Sequence, residues 1–322
     1  MVIATMPSTP AISIVMPLYN KAAQVLATVA SVAAQTMSDW ELVVVDDGST
    51  DEGSALVRAL GDARIRVVSQ VNAGVSAARN RGIELARAGL ITFLDADDLW
   101  LPQFLATIMA LQADFPVARW FATGYEIRPM RGTAFASRLR GPAKNFTRGI
   151  LPGYFTVAIS SDPPVWTSAT AMQRDALQAI GGFPVGVGSG EDLLTWARLA
   201  VRFPLAYEAC ALAVFMVSGI ERRPDPLDRV GKAMGELVRE HPDVPNLRGY
   251  LGLWYRMQAV MAMRFGSTAL ARQRAWLAVR YGPMQLRNLY TLLLSMLSAT
   301  WQQGLDTRIR TLLSKKKDKP AL

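Results

Sequence analysis

With 322 residues, 51% of them hydrophobic and 19% charged, the chain has the material for a sizeable core and is neither disordered nor fibrous. A single cysteine, Cys210, excludes internal disulfides and cysteine-based zinc sites, and fits a reducing compartment. A net charge of +9 points to an anionic partner, and by itself leaves nucleic acid, a nucleotide and a lipid surface equally open.

Residues 1–10 lack the charged start and apolar stretch of a secretory signal, so no export is expected and the chain is read as cytoplasmic. Residues 12–17 (Ile-Ser-Ile-Val-Met-Pro) read as a buried strand closed by proline, and residues 22–35 carry helical apolar spacing. Residues 41–45 (Glu-Leu-Val-Val-Val) form a second strand that empties into Asp46-Asp47-Gly48-Ser49-Thr50-Asp51. There Ser49, Thr50 or Asp51 can cap a helix through Arg58. Residues 65–68 are a third strand, residues 74–88 a helix holding Arg79, Asn80 and Arg81, and residues 90–94 a fourth strand. Strands alternating with helices imply βαβ units and a mostly parallel sheet flanked by helices. In such sheets ligands sit outside the carboxyl ends of the strands, where both acidic clusters lie.

The fourth strand runs directly into Asp95, Asp97 and Asp98. Without a cation these carboxylates repel one another, and at least one pKa rises. With Mg²⁺ or Mn²⁺ bound, the cluster becomes a mount for a diphosphate, because hard cations take oxygen ligands and share them with substrate phosphates.

Further on, residues 121–127 read as a strand, and residues 128–153 as a loop rich in Arg, Gly and Pro. A strand at 166–172 is followed by a short helix ending at Gly181-Gly182. The glycines of 186–190 lead into Glu191-Asp192 and a helix at 193–201, so a flexible loop can present an acid at a cavity. Past Pro226 acids nearly vanish, and arginines punctuate helices at 246–265, 268–281 and 283–303, ahead of a Lys-rich tail at 315–319. Two domains follow from this change: 1–225 and a basic helical extension, 226–322. Residues 288–305 contain no charged side chain until Asp306 and are just long enough to span a bilayer, yet Asn288, Thr291, Ser295, Ser298, Thr300, Gln302 and Gln303 make them too polar for hydrocarbon. Either the helix lies in a membrane interface with the basic residues meeting anionic lipid, or it packs within the protein or in a dimer.

Five stretches together resemble the family 2 glycosyltransferases of GT-A fold: Ile14-Val-Met-Pro-Leu-Tyr-Asn20, Val43-Val-Val-Asp-Asp-Gly-Ser-Thr-Asp51, Asn72-Ala-Gly-Val-Ser-Ala-Ala-Arg-Asn-Arg-Gly82, Phe93-Leu-Asp-Ala-Asp-Asp98 and Gly190-Glu-Asp192. Each is weak alone; five in order over residues 11–203 are specific. The resemblance implies inverting transfer of a sugar from a nucleotide-diphosphate donor, UDP-linked in most of the family, to a hydroxyl on a growing glycan or lipid-linked acceptor in envelope or exopolysaccharide synthesis. It implies that Asp97, with Asp95, holds Mg²⁺ or Mn²⁺, and that Asp192, with Glu191 as alternate, takes the acceptor proton. Pro17, Tyr19, Asn20, Asp46, Asp47, Arg79 and Asp95 are the implied nucleotide contacts. Asp47 is favoured over Asp46 for the base, and Arg79 can reach either the phosphates or the acid cluster.

Plainer roles exist for several of these. Asp46-Asp47-Gly48-Ser49 can be a capped turn, Glu191-Asp192 a helix start, Tyr19 and Trp166 packing residues, and the lone His241 inert. Arg222 and Arg223 are further candidates for closing over a diphosphate. Rival classes are a nucleotidyltransferase and a non-catalytic scaffold. The first would place a Gly-rich basic loop where Leu18-Tyr19-Asn20-Lys21 stands. A nucleic-acid role finds no recognition module to carry it.

Overall fold

The computed structural model describes residues 9–217, 223–282 and 286–297. Features expected at 1–8, at Arg222, at 283–285 and from 298 onward, the Lys-rich tail included, lie outside the described residues. The chain divides into two compact units, one of residues 1–187 and 191–218, the other of residues 188–190 and 219–322.

The first unit opens with β1 (Ile12–Leu18), α1 (Ala22–Ala33), β2 (Trp40–Asp46), α2 (Gly53–Ala59), β3 (Ile65–Ser69), α3 (Val75–Leu85) and β4 (Leu90–Phe93). β2 is buried along its whole length and β1 at all but Pro17, which is why both read as apolar runs rather than alternating strands. Parallel pairing sets the order β3-β2-β1-β4, with Val15 opposite Val43 on one side and Phe93 on the other. Helix α3 approaches β1 closely at Gly82, where any Cβ would fall 2.2 Å from Val15 Cγ1.

The chain continues through β5 (Leu99–Trp100), α4 (Phe104–Asp114), β6 (Trp120–Arg128), β7 (Phe135–Ala136), β8 (Arg148–Ile150), α5 (Tyr154–Ser160), β9 (Thr170–Gln173), α6 (Arg174–Ala179), α7 (Glu191–Ala200) and β10 (Leu205–Met216). All ten strands among the described residues join one sheet. Its parallel pairings are those of β3-β2-β1-β4 together with β6/β10. β9 enters antiparallel between β4 and β6, and β5, β7 and β8 also pair antiparallel, so the sheet is mixed. The reversal at β9 matters for function: pairing Thr92 with Ala171 brings the residues just before β9 against the chain leaving β4.

Residues 101–119 and 204–217 carry no element in the sequence reading, yet they hold α4 and β10. Helix α4 (Phe-Leu-Ala-Thr-Ile-Met-Ala-Leu-Gln-Ala-Asp) is apolar nearly all round, which blurs its 3.6-residue period. Strand β10 loses its alternation at a bulge between Glu208 and Ala213.

The second unit contains α8 (Arg229–Glu240), α9 (Leu247–Arg264), α10 (Thr268–Tyr281) and α11 (Leu286–Ser295). The sequence reading contains the last three and omits α8, whose two glycines weaken its helical signal. Asp228 caps α8 by accepting from Gly231 N at 3.3 Å, and the same buried carboxylate accepts from Trp254 Nε1 at 3.2 Å and from the Arg274 guanidinium.

Candidate active site

At the end of β1, Pro17 is half-buried opposite Val45, and Tyr19 stands 50% exposed. Asn20 adopts a left-handed conformation, φ 50°, which its short polar side chain tolerates. Its Oδ1 accepts from Thr50 N at 2.8 Å and from the Thr50 hydroxyl at 3.3 Å, while its own N donates to Ser49 Oγ at 3.1 Å. Asp51 joins two helix starts, accepting from Ala22 N at 2.8 Å and Gly53 N at 3.0 Å. The loops that follow β1 and β2 are thereby tied together.

Both acids at the tip of β2 are buried and engaged. Asp46 accepts from Ser49 N at 3.0 Å and Ser69 Oγ at 3.2 Å. Burial works to raise its pKa, and hydrogen bonds from Ser49, Ser54 and Ser69 outweigh it, so the carboxyl sits below the usual range. Asp47 accepts from Gln70 Nε2 at 2.8 Å, Ala73 N at 2.9 Å and Gly74 N at 2.8 Å. It anchors the segment that leads into α3, and Gly74 takes a positive φ of 89° there.

Arg79, projecting from α3, is buried and joins two acidic motifs. Its Nη2 donates to Asp95 Oδ1 at 2.8 Å and its Nη1 to Glu191 Oε1 at 3.3 Å. Desolvation opposes its charge, but Asp95, Glu191 and Asp192 overcompensate and raise its pKa. The guanidinium lies 5.1 Å from the Phe183 ring centroid. Asn80 fixes Phe183 by accepting from its N and donating to its O, each at 2.8 Å. The adjacent Arg-Asn pair therefore does two jobs: one residue neutralises the acids, and the other holds the ring beside it.

Asp97 pairs with Lys21 Nζ at 2.5 Å. The side chains of Asp95 and Asp97 are 25% and 18% exposed, and Asp95 Oδ2 and Asp97 Oδ1 have no hydrogen-bond donor among the described residues. Two partly exposed, hard carboxylate oxygens fit Mg²⁺ or Mn²⁺. No group of three or more His, Cys, Asp or Glu converges as a metal cage among the described residues.

Asp98 is a different kind of acid. It is buried, its Oδ2 accepts from Trp166 Nε1 at 2.9 Å and Ser168 Oγ at 2.6 Å, and its Oδ1 accepts from Met216 N at 3.0 Å. Burial and then the charge of Asp95 push it up to about 7 against those three donors. Its contacts hold β4, β9 and β10 together, and Ser168 Oγ also accepts from Asp95 N at 3.1 Å. Asp192, half-buried at the start of α7, accepts from Leu193 N at 2.7 Å.

Asp95, Arg79, Glu191 and Asp192 are therefore gathered in one place, and Asp97 reaches Lys21. Asp46 and Asp47 belong to a separate hydrogen-bond set at the β2 tip. Sequence reasoning passed over Lys21, Gln70 and Ser168 as contacts. Only Lys21, adjoining Asn20, carried a local signal. Trp166 packs against Phe215 in a tilted pair with ring centroids 3.9 Å apart, as the packing reading expects, and also donates to Asp98. Arg223 lies over the Phe265 ring at 5.6 Å within the second unit.

A mixed sheet flanked by helices, with cation–acid links where its strands end, defines an α/β scaffold that carries a charged site at its strand tips. The profile described as glycosyl transferase family 2 matches residues 13–177, just over half of the chain, and the chain belongs to that family. Among curated relatives, it is similar to WcaA of Escherichia coli (strain K12), a glycosyl transferase assigned to colanic acid biosynthesis. The two are 39% identical over 108 residues, 33% of this chain and 39% of WcaA. The chain spans about a third of the length of the curated relatives it matches. Its fold is that of GT-A glycosyltransferases. Residues 1–349 of S. aureus TarS in complex with UDP-GlcNAc superpose with a TM-score of 0.66 at 14% identity, covering 92% of this chain and 91% of that TarS portion. The mannosyltransferase PcManGT from Pyrobaculum calidifontis, in complex with GDP-Man and Mn²⁺, superposes with a TM-score of 0.56 at 20% identity, covering 98% and 89%.

Proposed function

We propose that the chain is an inverting glycosyltransferase that moves a sugar from a nucleoside diphosphate donor, UDP-linked by expectation, to a hydroxyl acceptor. The acceptor class is a growing glycan or lipid-linked saccharide of envelope or exopolysaccharide synthesis. The observation that carries the reading is Arg79, which joins the acids at the β4 tip to the acid pair at the start of α7. UDP-GlcNAc in TarS, GDP-Man in PcManGT and the assignment of WcaA support the donor and acceptor classes.

In this reading Tyr19 stacks on the nucleotide base, and Pro17, Asn20, Asp46 and Asp47 shape its surroundings. Asp95 and Asp97 are the residues that would hold Mg²⁺ or Mn²⁺, a hard cation suited to carboxylate oxygens. A cation there supplies neutralisation of the charge that develops on the departing nucleoside diphosphate. Asp192 accepts the proton of the acceptor hydroxyl as that oxygen attacks the anomeric carbon from the face opposite the diphosphate. The C–O bond to phosphate breaks, and its electron pair leaves with the nucleotide. Glu191 is committed to Arg79, which favours Asp192 as base and leaves Glu191 to hold the start of α7. Peripheral contact with the inner face of a cytoplasmic membrane belongs to the same reading. No helix among the described residues is long and apolar enough to cross a membrane.

Asp192→Asn tests the chemistry. Donor binding, read as a nucleotide-sugar-induced rise in melting temperature with Mn²⁺ present, should persist, while transfer falls by about 10²–10⁴-fold. Full transfer by this variant would remove Asp192 as the base.

A further inference from the structure

Helix α11 is turned inside out relative to an ordinary surface helix. Its buried residues are polar: Asn288, Thr291 and Ser295. Asn288 Nδ2 donates to Ala278 O at 3.3 Å, and the hydroxyls of Thr291 and Ser295 turn back to the Arg287 and Leu292 carbonyls at 2.8 and 2.6 Å. Arg272 Nε on α10 donates to Ser295 O at 3.1 Å, which fixes this polar face inward. The face left outward is apolar: Leu286 is 85% exposed and Leu293 69%, with Leu289, Tyr290 and Leu297 also exposed. Positions 286, 289, 290 and 293 share one helical face, so these side chains form a continuous stripe rather than scattered exceptions.

Charge says what covers it. Residues 226–322 contain sixteen Lys or Arg against six Asp or Glu, net +10, while residues 1–225 are net −1. The whole surplus of positive charge resides in the extension, and no acidic residue occurs between Asp243 and Asp306. On the α9 and α11 surfaces Arg256 is pushed down by burial and by the neighbouring Arg287 charge, as two cations facing each other must be. On α10, Trp276 is exposed with the Arg280 guanidinium 5.3 Å from its ring, an aromatic body beside a cationic tip. A purely apolar protein partner would not use the arginines, and a polyanion would not use the leucines.

We propose that this face docks on an anionic lipid bilayer, with α11 lying in the interface. The Leu286, Leu289, Tyr290 and Leu293 side chains enter the acyl boundary while the exposed Arg280 and Arg287 meet the headgroups. At ten residues α11 is about 15 Å long, half of what a span requires, so it lies flat. The proposal deepens the membrane-proximal reading above and is independent of the transfer chemistry.

The test uses the full chain with vesicles of phosphatidylcholine alone or mixed with phosphatidylglycerol, at low and high salt. Binding is expected to the anionic vesicles, weakened by salt and weak on neutral ones. Leu286→Ser combined with Leu293→Ser should lower it at least about tenfold. Both positions are exposed, so the melting temperature and the donor-induced shift should stay unchanged in that variant. Arg287→Glu should lower binding and flatten its salt dependence. No binding to anionic vesicles at low salt overturns the proposal, as does binding that the leucine variant retains in full. A dimer in light scattering that the leucine variant dissolves, with no vesicle binding, would assign the face to a second copy and overturn it equally. Loss of vesicle binding with an intact donor-induced shift defeats only this surface; vesicle binding without any donor response defeats the glycosyltransferase reading instead.

Discussion

Replacing Arg79 with methionine keeps an unbranched stem of similar reach beside Phe183 and deletes the charge that two carboxylates share. The side chains of Arg79 and Glu191 are each 3% exposed, so Glu191 would lose this cation in the interior, where water does not replace it. Asp95, at 25% exposure, can recover part of its solvation from water. Breaking a buried pair by removing one partner costs about 3–5 kcal/mol. In a unit of this size each kcal/mol shifts the melting temperature by about 2–4 °C, so a fall of about 6–20 °C is expected. The assay is urea unfolding followed by tryptophan fluorescence, with Trp120 and Trp196 buried in the same unit as reporters. Adding Glu191→Gln should recover part of the loss, because the stranded charge is then gone, and the coupling between the two changes should fall at about 1–3 kcal/mol. If Arg79→Met costs less than about 1 kcal/mol, or the two losses add to within about 0.5 kcal/mol, the argument that Arg79 joins the two acidic motifs energetically is wrong.

Other outcomes follow from the same contacts. Asp97→Asn should abolish the Mn²⁺-dependent part of the donor-induced thermal shift, as a chelator should for the unaltered chain; an undiminished Mn²⁺ effect would remove Asp97 from the metal site. Glu41 accepts from Ser13 Oγ and Arg87 N, each at 2.6 Å, and from Arg87 Nε at 2.7 Å; burial raises its pKa, and these bonds outweigh it and hold it below 4.5. A lowered folded-state pKa contributes stability that is present above the unfolded value and lost as pH falls, so urea midpoints should drop below about pH 4.5 and Glu41→Gln should flatten that slope. An identical slope in the variant counts against it. Gly82→Ala gains about 1 kcal/mol of helix propensity but drives a Cβ to 2.2 Å from the buried, branched Val15. Overpacking should win, with a net loss of at least about 1 kcal/mol that Val15→Ala restores; a stabilised single variant would show that α3 can move off β1.

Much of the first unit was legible because its chemistry is local. Strands β1 and β2 are buried on both faces and so appear as unbroken Ile and Val runs, and acids appear where those runs reach solvent. The Asp95–Asp98 cluster, the Glu191-Asp192 pair and the motif order were readable for the same reason. Helix α4 and strand β10 were not, since one lacks a polar face and the other is broken by a bulge.

What the chain alone determined is which side chains stand at which element ends: apolar runs must be buried, and the carboxylates must then lie where those runs stop. Only the tertiary structure decided which charges meet, because partners are set by sheet register and the return of distant segments. Arg79 is 16 residues from Asp95 but 112 from Glu191, Lys21 is 76 from Asp97, and Ser168 reaches Asp98 across 70 because β9 runs antiparallel to β4. The inversion of α11 has the same origin. Its amphipathic pattern was visible in the residues, but packing against α9 and α10 chose the polar face for the inside and left the leucines outward.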